Sequence, residues 1–328
     1  TALCERGGSV LAALEPKVLG ACATLVLRDG VGARAASGVI TSVCVEEAVG
    51  DSLVRVRLRL EPRLALLAMR RTSRIFQQLS VVDIAAHLLD EWTIDHANRL
   101  QDAFDSRTYC TQYDETDLAF LLRILAAEGI CMMFEQPLPE GAPAREKVVL
   151  FDSAHFYPAL SSPVLQVFAA SGASAMGEQT QQHVLTFGAT RALRAKSLLL
   201  DDYDFRRPTL PLQATQQAPP TSAASGMTDQ LRRVRRSQHA AIESDGAGPP
   251  VDGDYARRAL DAIRRDVWLG QGTSHVRRMA TGHSFVLTDH SVEALNRPYT
   301  LVSIAHRGQL PEYSDDPNVR VYENTFSC

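Results

Sequence analysis

At 328 residues, 45% of them hydrophobic, the chain is long enough to bury more than one core, so two domains or one elongated one are expected. Its 34 Lys and Arg against 38 Asp and Glu leave a net charge of only -4, which gives no global attraction for nucleic acid or an anionic membrane surface. Six cysteines (Cys4, Cys22, Cys44, Cys110, Cys131, Cys328) form no C-x-x-C pair and no zinc-spaced group with histidine, so reduced, mostly buried thiols are expected.

No charged-then-apolar leader opens the chain and no apolar run reaches about 18 residues, so neither a classical signal peptide nor a transmembrane helix is expected. The start at Thr1 and the stop at "YENTFSC" give the expectation of a piece excised from something longer.

From Leu19 to Leu60 the sequence alternates through "GACATLVLRDG", "RAASGVITSVCVEE" and "LVRVRLRLEP", with Asp-Gly and Gly-Asp turns between. Period-two alternation of this kind predicts antiparallel strands with one wet face, in a small barrel or sandwich. The period changes at "SVVDIAAHLLDEW". Ser80 and Asp83 have capping-box spacing, and Ile84, Ala85, Leu88, Leu89 and Trp92 recur at helical spacing. Residues 94–108 are polar and ambiguous.

In "YCTQYDETDLAFLLRILAAEGICMMFE" the spacing predicts a helix from about Asp117 to Glu128. Thr116 or Asp114 would cap it, Asp117 would sit at the positive end of its dipole, and Gly129 would close it in a left-handed conformation. Leu118, Leu121, Leu122 and Leu125 form its apolar stripe. "ICMMFE" and "KVVLFD" then predict two strands, and alternation returns in "QQHVLTFGATRALRAKSLLLDDYDFRRP". Gln213 to Gly253 is a low-complexity tract with too little apolar content to order itself, expected as an exposed linker or insertion. "DYARRALDAIRRDV" predicts an amphipathic helix with Tyr255, Ala259, Ile263 and Val267 on one side and arginines on the other. "HSFVLTDH" and "RPYTLVSIAHRGQ" predict closing strands, and no period of about 20–50 residues recurs.

Few residues point to chemistry. Asp114, Glu115 and Asp117 have the look of paired acids, but helix-start chemistry accounts for all three. Asp201, Asp202 and Asp204 in "DDYD" resemble a metal-binding run without further oxygens to complete a shell, so a solvated strand end is the reading adopted. His283, His290 and His306 lie near late strand ends without an acid or cysteine at ligand spacing, and satisfied surface histidines are expected. Arg232, Arg233, Arg235 and Arg236, with the arginine face of Arg257, Arg258, Arg264 and Arg265, lack the aromatics of a nucleic-acid surface and are expected to be solvated or subunit-facing. No Walker loop, H-E-x-x-H, G-x-S-x-G or strand-following G-x-G-x-x-G is present.

Several separated stretches together resemble a known family. "LAMRRTSRIFQQLSVVDIAAHLLDEW" and "SRTYCTQYDETDLAFLLRILAAEGICMMFE" are similar to the hallmark region of VgrG proteins, the spike components of bacterial type VI secretion, with S-R-I-F-Q, then Q-Y-x-E-[ST]-D, then a helix ending E-G-I. "DDYDFRRP" and "GHSFVLTDHSVEALNRPYTLVSIAHRG" resemble its later signatures. The resemblance implies an α+β, mainly β fold: two related antiparallel β-barrels with inserted helices, similar to contractile-phage baseplate hubs. It divides the chain into a first barrel at 1–72, cut short at its start, a helical segment with short strands at 73–160, and a second barrel at 161–328 that contains the 213–253 tract and a helix at 254–268.

The resemblance further implies a non-enzymatic homotrimer whose six barrels dock on the hexameric Hcp tube. Effector, tip and baseplate contacts would run through C-terminal regions, the family's OB-like domain and β-helical needle, which are missing from this sequence. Assembly is implied in the bacterial cytoplasm, followed by export through the type VI apparatus. Ser73, Arg74, Phe76, Gln112, Tyr113, Glu115, Asp117 and Gly129 are expected to serve folding; no catalytic, metal or cofactor site is expected. A phage tail baseplate hub shares this architecture, and a metal-dependent hydrolase or effector built on Asp201 to Asp204 or the late histidines is the reading from a different class.

Overall fold

The computed structural model describes residues 2–5, 17–28, 33–49, 53–138, 145–168, 182–203, 208–209, 212–219, 230–236, 253–308 and 322–328. Strands dominate, with helices inserted between them.

The first sheet is antiparallel, in the order β1-β4-β3-β2, built from Ala2–Glu5 (β1), Cys22–Arg28 (β2), Ala33–Val49 (β3) and Leu53–Glu61 (β4). Ala35, Val39, Ile40 and Val56 are buried, while Arg57 and Arg59 of β4 face water; the alternation is broken at Leu58, which is exposed between them. The long strand β3 slips register against β4 between Ile40 and Ser42 and again between Val45 and Ala48, bulges that bend so extended a strand. Gly38 stands where the sheet turns onto Pro62, and a Cβ there would lie 2.2 Å from the Glu61 carbonyl oxygen.

The middle segment starts with a 3-10 turn over Arg63–Ala68 and a two-stranded antiparallel ribbon of Arg71–Leu79 (β5) and Arg107–Thr116 (β7). Helix α1 (Val81–Glu91) begins with the expected capping box: Asp83 N donates to Ser80 Oγ at 3.1 Å, and Ser80 N donates back to Asp83 Oδ2 at 3.0 Å. Helix α2 (Asp117–Glu128) ends at Gly129 with φ 71°, as its position requires. Its buried face is Phe120, Leu121, Ile124 and Leu125; Leu122, expected in the apolar stripe, is 42% exposed. With α1 and the ribbon they enclose one core, in which Phe76 stacks on Phe120 at 5.5 Å between ring centroids. Beside it lies a sheet of order β6-β9-β8, from His96–Arg99 (β6), Cys131–Glu135 (β8) and Lys147–Phe151 (β9). The ambiguous polar stretch thus supplies β6 and opens β7.

The late β unit comprises Ala159–Gln166 (β10), Val184–Arg191 (β11), Trp268–Ser274 (β15), Ser284–Thr288 (β16), Pro298–Thr300 (β17), Ser303–Gly308 (β18) and Tyr322–Ser327 (β19). Sheets β11-β15-β19-β18 and β10-β16-β17 face one core of Leu165, Val184, Met279, Phe285, Leu287 and Phe326. A bridge from Val167 to Val184 and the corner at Leu301 and Val302 join them, so seven strands wrap that core.

Two expectations are corrected. The strands are not all antiparallel: β6 with β9 and β10 with β16 run parallel, as do Ser197–Tyr203 (β12) and Gln230–Arg236 (β14). Such pairs need crossovers, supplied here by helices and long connections that alternation does not reveal. The 213–253 tract is also not wholly a linker. It supplies most of Leu212–Gln217 (β13) and all of β14, which flank β12, while the rest of it before Gly253 lies mostly outside the described residues. The apolar edge of β12 gives these polar strands a template, with Leu198, Leu200, Ala214 and Ala218 buried against Ala256 and Leu260 of helix α3 (Gly253–Arg264). That helix ends at Arg264, short of the expected 268, because Trp268 is already in β15.

Candidate functional site

The motif residues of the middle segment converge on one carboxylate. Asp117, the first residue of α2, is completely buried, and Thr116 rather than Asp114 caps the helix, its Oγ1 accepting from Ala119 N at 3.1 Å. Asp117 therefore does more than meet the helix dipole. Its Oδ1 accepts from Gln112 Nε2 at 2.8 Å and Arg74 Nη2 at 3.3 Å; its Oδ2 accepts from Arg70 Nε at 2.6 Å and Trp92 Nε1 at 2.9 Å.

Glu91, at the end of α1, closes the ring. Arg74 Nη1 reaches its two oxygens at 2.8 and 3.1 Å, and Arg70 Nη2 also donates to it. Gln112, equally buried, accepts from Arg74 Nε at 2.9 Å and donates to the Glu115 carbonyl at 3.1 Å. Arg70 stacks over Trp92 and Arg74 over Phe76, 5.3 and 5.0 Å from the ring centroids.

Two guanidiniums thus meet two carboxylates, and the junction is charge-balanced. Burial pushes the Asp117 carboxyl upward, but hydrogen bonds from Gln112, Trp92 and Arg70 outweigh it and hold the group below the usual carboxylate range. Glu91 follows the same balance, with Arg70 and Arg74 overcoming its desolvation. Four donors fill the lone pairs of Asp117, so it has none left with which to take a proton from a substrate or bind a metal. The chemistry of the site is cross-bracing: it ties the lead-in to β5, the end of α1, strand β7 and the start of α2 to one point.

The neighbouring acids are separate pairs. Asp114, at φ 46°, holds Arg71 through contacts of 2.8 and 3.1 Å on the surface, with its backbone N–H on Ser73 Oγ at 2.9 Å. Glu115 pairs with Arg123 of α2 at 2.5 Å. Tyr113 is 79% exposed and takes no part in the junction. Gly129 lies under Arg258 of α3, whose guanidinium bonds Glu128 at 3.3 Å.

The other sequence candidates are scattered. Asp201 is buried in β12; the side chains of Asp202 and Tyr203, and all of Asp204, fall outside the described residues. His283 lies 3.2 Å from the Thr281 carbonyl and His290 3.1 Å from the Phe187 carbonyl. His306 meets Arg34 Nη1 at 2.5 Å through Nε2, and the Tyr322 hydroxyl through Nδ1. Among the described residues no three His, Cys, Asp or Glu side chains gather as metal ligands. Arg232, Arg233, Arg235 and Arg236 lie on β14, with side chains outside the described residues. Arg258 is spent on Glu128, and Arg264 on the Ala195 carbonyl at 2.8 Å, so the arginines of α3 do not make one open basic face.

The contact missed from the sequence is at Arg34. Besides His306, its Nη1 reaches the Met279 carbonyl at 2.9 Å, while Arg277 Nη1 returns to the Arg28 carbonyl at 2.9 Å and stacks over Tyr322. This joins the first sheet to the late β unit through a backbone carbonyl and an imidazole rather than a carboxylate. Burial lowers the Arg34 pKa, and burial with the Arg34 charge pushes His306 down to about 4, so the imidazole is neutral and accepts.

The model of the phage tail baseplate hub (GPD) family matches residues 9–312, nearly the whole chain. The chain belongs to that family. Among its relatives, the type VI secretion system spike proteins VgrG5 and VgrG4b of Pseudomonas aeruginosa are 30% identical over 289 residues and 31% identical over 275. These alignments cover 85% and 81% of this chain but 33% and 31% of the relatives, so the chain spans about a third of their length. The actin cross-linking toxin VgrG1 of Vibrio cholerae is 28% identical over 283 residues, 85% of this chain and 24% of the toxin.

Solved structures agree on the fold. An Escherichia coli protein, c3393, described as a type VI secretion component similar to the T4 tail proteins gp27 and gp5, superposes with a TM-score of 0.60 at 16% identity, covering all of this chain and 76% of its own. A 43 kDa prophage tail protein of Shewanella oneidensis gives 0.57 at 11% identity, over 92% of this chain and 84% of its own. The mainly β hub fold with inserted helices is therefore the fold of this chain.

Proposed function

We propose that the chain is the hub part of a type VI secretion spike: a trimer that adapts a threefold needle to the hexameric Hcp tube and is expelled when the sheath contracts. The observation that carries this reading is the hub-family match from residue 9 to 312, joined to spike-protein relatives that align over more than four-fifths of the chain. The division into a first β unit at 1–72, a helical segment at 73–160 and a second β unit at 161–328 belongs to the same proposal. Two β units per chain give six in a trimer, which matches threefold to sixfold symmetry without a turnover site.

The cross-braced junction suits that role. A part that transmits force needs its helices and strands fixed to one another, and a buried carboxylate held by four donors from three directions does this. Assembly in the bacterial cytoplasm and export by the contractile apparatus follow from the same reading. A phage tail hub shares every one of these features and differs in the tube that it meets.

Light scattering on the purified chain, with pull-down of Hcp and of a phage tail-tube protein, tests the reading. A trimer retaining Hcp supports it. A trimer retaining only the phage tube protein moves the assignment to a phage tail, and stoichiometric metal with hydrolytic turnover overturns it.

A further inference from the structure

At the end of the late β unit, one indole carries two cations. The guanidinium carbons of Arg191 and Arg297 lie 4.2 and 4.1 Å from the ring centroid of Trp268. Arg191 is the register partner of Trp268 across β11 and β15, and Arg297 arrives from the turn before β17, where it also lies 5.4 Å from the Tyr299 ring centroid. Both arginines are exposed.

Their charge is uncompensated among the described residues. Among the described residues neither guanidinium has a carboxylate partner. Asp266, two residues before the tryptophan, is taken by Arg194 at 2.7 and 2.5 Å, and Glu293 accepts from Asn296 at 3.3 Å. The Cys328 thiol, which feels the Arg297 charge, is pushed up to about 12 by burial and stays neutral; burial raises the Tyr299 phenol as well. The buried Trp268 Nε1 has no acceptor among the described residues. Two forked cations therefore share one indole at this end of the unit.

We propose that Arg191, Trp268 and Arg297 form a docking site for an acidic peptide segment of a partner protein, with Asp or Glu carboxylates of that segment each taken by one guanidinium fork. The planar fork of arginine matches a carboxylate through two parallel hydrogen bonds, and arginine with tryptophan is the pairing that concentrates binding energy at protein interfaces. Stacking on the indole holds each fork in place beforehand, which lowers the entropy lost on binding. A nucleic acid fits less well, because base stacking needs an open aromatic face and this one is covered by guanidinium groups. The site is independent of the hub reading.

The chain has two tryptophans, so fluorescence titration at fixed ionic strength reads the site, with W268F assigning the signal. The probes are a capped Glu-rich hexapeptide, its Gln counterpart and inorganic phosphate. The Glu peptide is expected to give a saturable change, at least tenfold weaker in R191Q/R297Q and several-fold weaker in R191K/R297K, which keeps the charges but loses the forks; R307Q, which removes an exposed arginine of β18 outside the cluster, binds as the parent does. Absence of a saturable change, equal response to the Gln peptide or to phosphate, or full binding by R191Q/R297Q with an unaltered melting curve would overturn the proposal.

Discussion

At the Asp117 junction two arginines meet two carboxylates, whereas at the joint between the β units Arg34 meets a backbone carbonyl and a neutral imidazole. The first arrangement is rigid in a particular sense: removing the arginines strands the Asp117 carboxylate in a buried place. The second contains two cations, Arg34 and Arg277, whose partners are dipoles, so it has less to lose and a different dependence on pH. The contrast indicates where the molecule is braced and where its parts are merely seated on one another.

The largest expected effect follows from deleting the central anion. D117A takes an acceptor from Arg70, Arg74, Trp92 and Gln112, and although both arginines keep Glu91, the Trp92 and Gln112 donors are stranded; it should cost about 2–4 kcal/mol, read from denaturant unfolding of the chain. A loss below about 1 kcal/mol would mean that the four donors find water instead and that the brace is weak.

At the joint, R34M should cost about 1–3 kcal/mol, because the Met279 carbonyl and His306 Nε2 lose their donor while no buried ion is stranded. Amide exchange should report the change first in β18. The pH dependence has a definite sign. The His306 pKa is lowered from 6.5 to about 4 in the folded chain, so its contribution is intact above about pH 6.5 and declines as pH falls toward 4, where the unfolded chain is protonated and the folded one is not. H306Q should flatten that part of the stability profile, while D117N alters it only at lower pH, where a depressed carboxylate titrates. Identical profiles for H306Q and parent between pH 4 and 6.5 would show that the joint does not hold the imidazole neutral.

Smaller effects test the helix ends. G129A forces a left-handed residue with a side chain and pushes on Arg258, whose Cδ would be 2.8 Å from the new Cβ; a cost of about 1–2 kcal/mol is expected in thermal melts. T116A removes the cap of α2 and should cost about 1 kcal/mol.

Local signals were the legible part of the sequence. The Ser80–Asp83 box, the Asp117 to Glu128 helix and the Gly129 stop are written within a few neighbouring residues, and each is found as read. The role of Asp117 was half legible: a helix-start acid was visible, but its donors Arg70 and Arg74 stand 47 and 43 residues away, and only the folded ribbon brings them in. Parallel pairing and the strands beside β12 were hidden for the same reason, since a polar strand such as β13 owes its order to its neighbour. Arg34 and His306, 272 residues apart, carried no sequence signal at all. Membership of the hub family was legible because its short motifs are local.

The central claim concerns symmetry, and projection images of the assembled chain, averaged along its axis, test it most directly. Threefold particles with six lobes, two from each chain, are the expected result. Particles with three lobes, or a chain that stays monomeric and does not bind Hcp at concentrations where light scattering shows a single species, would contradict the hub assignment.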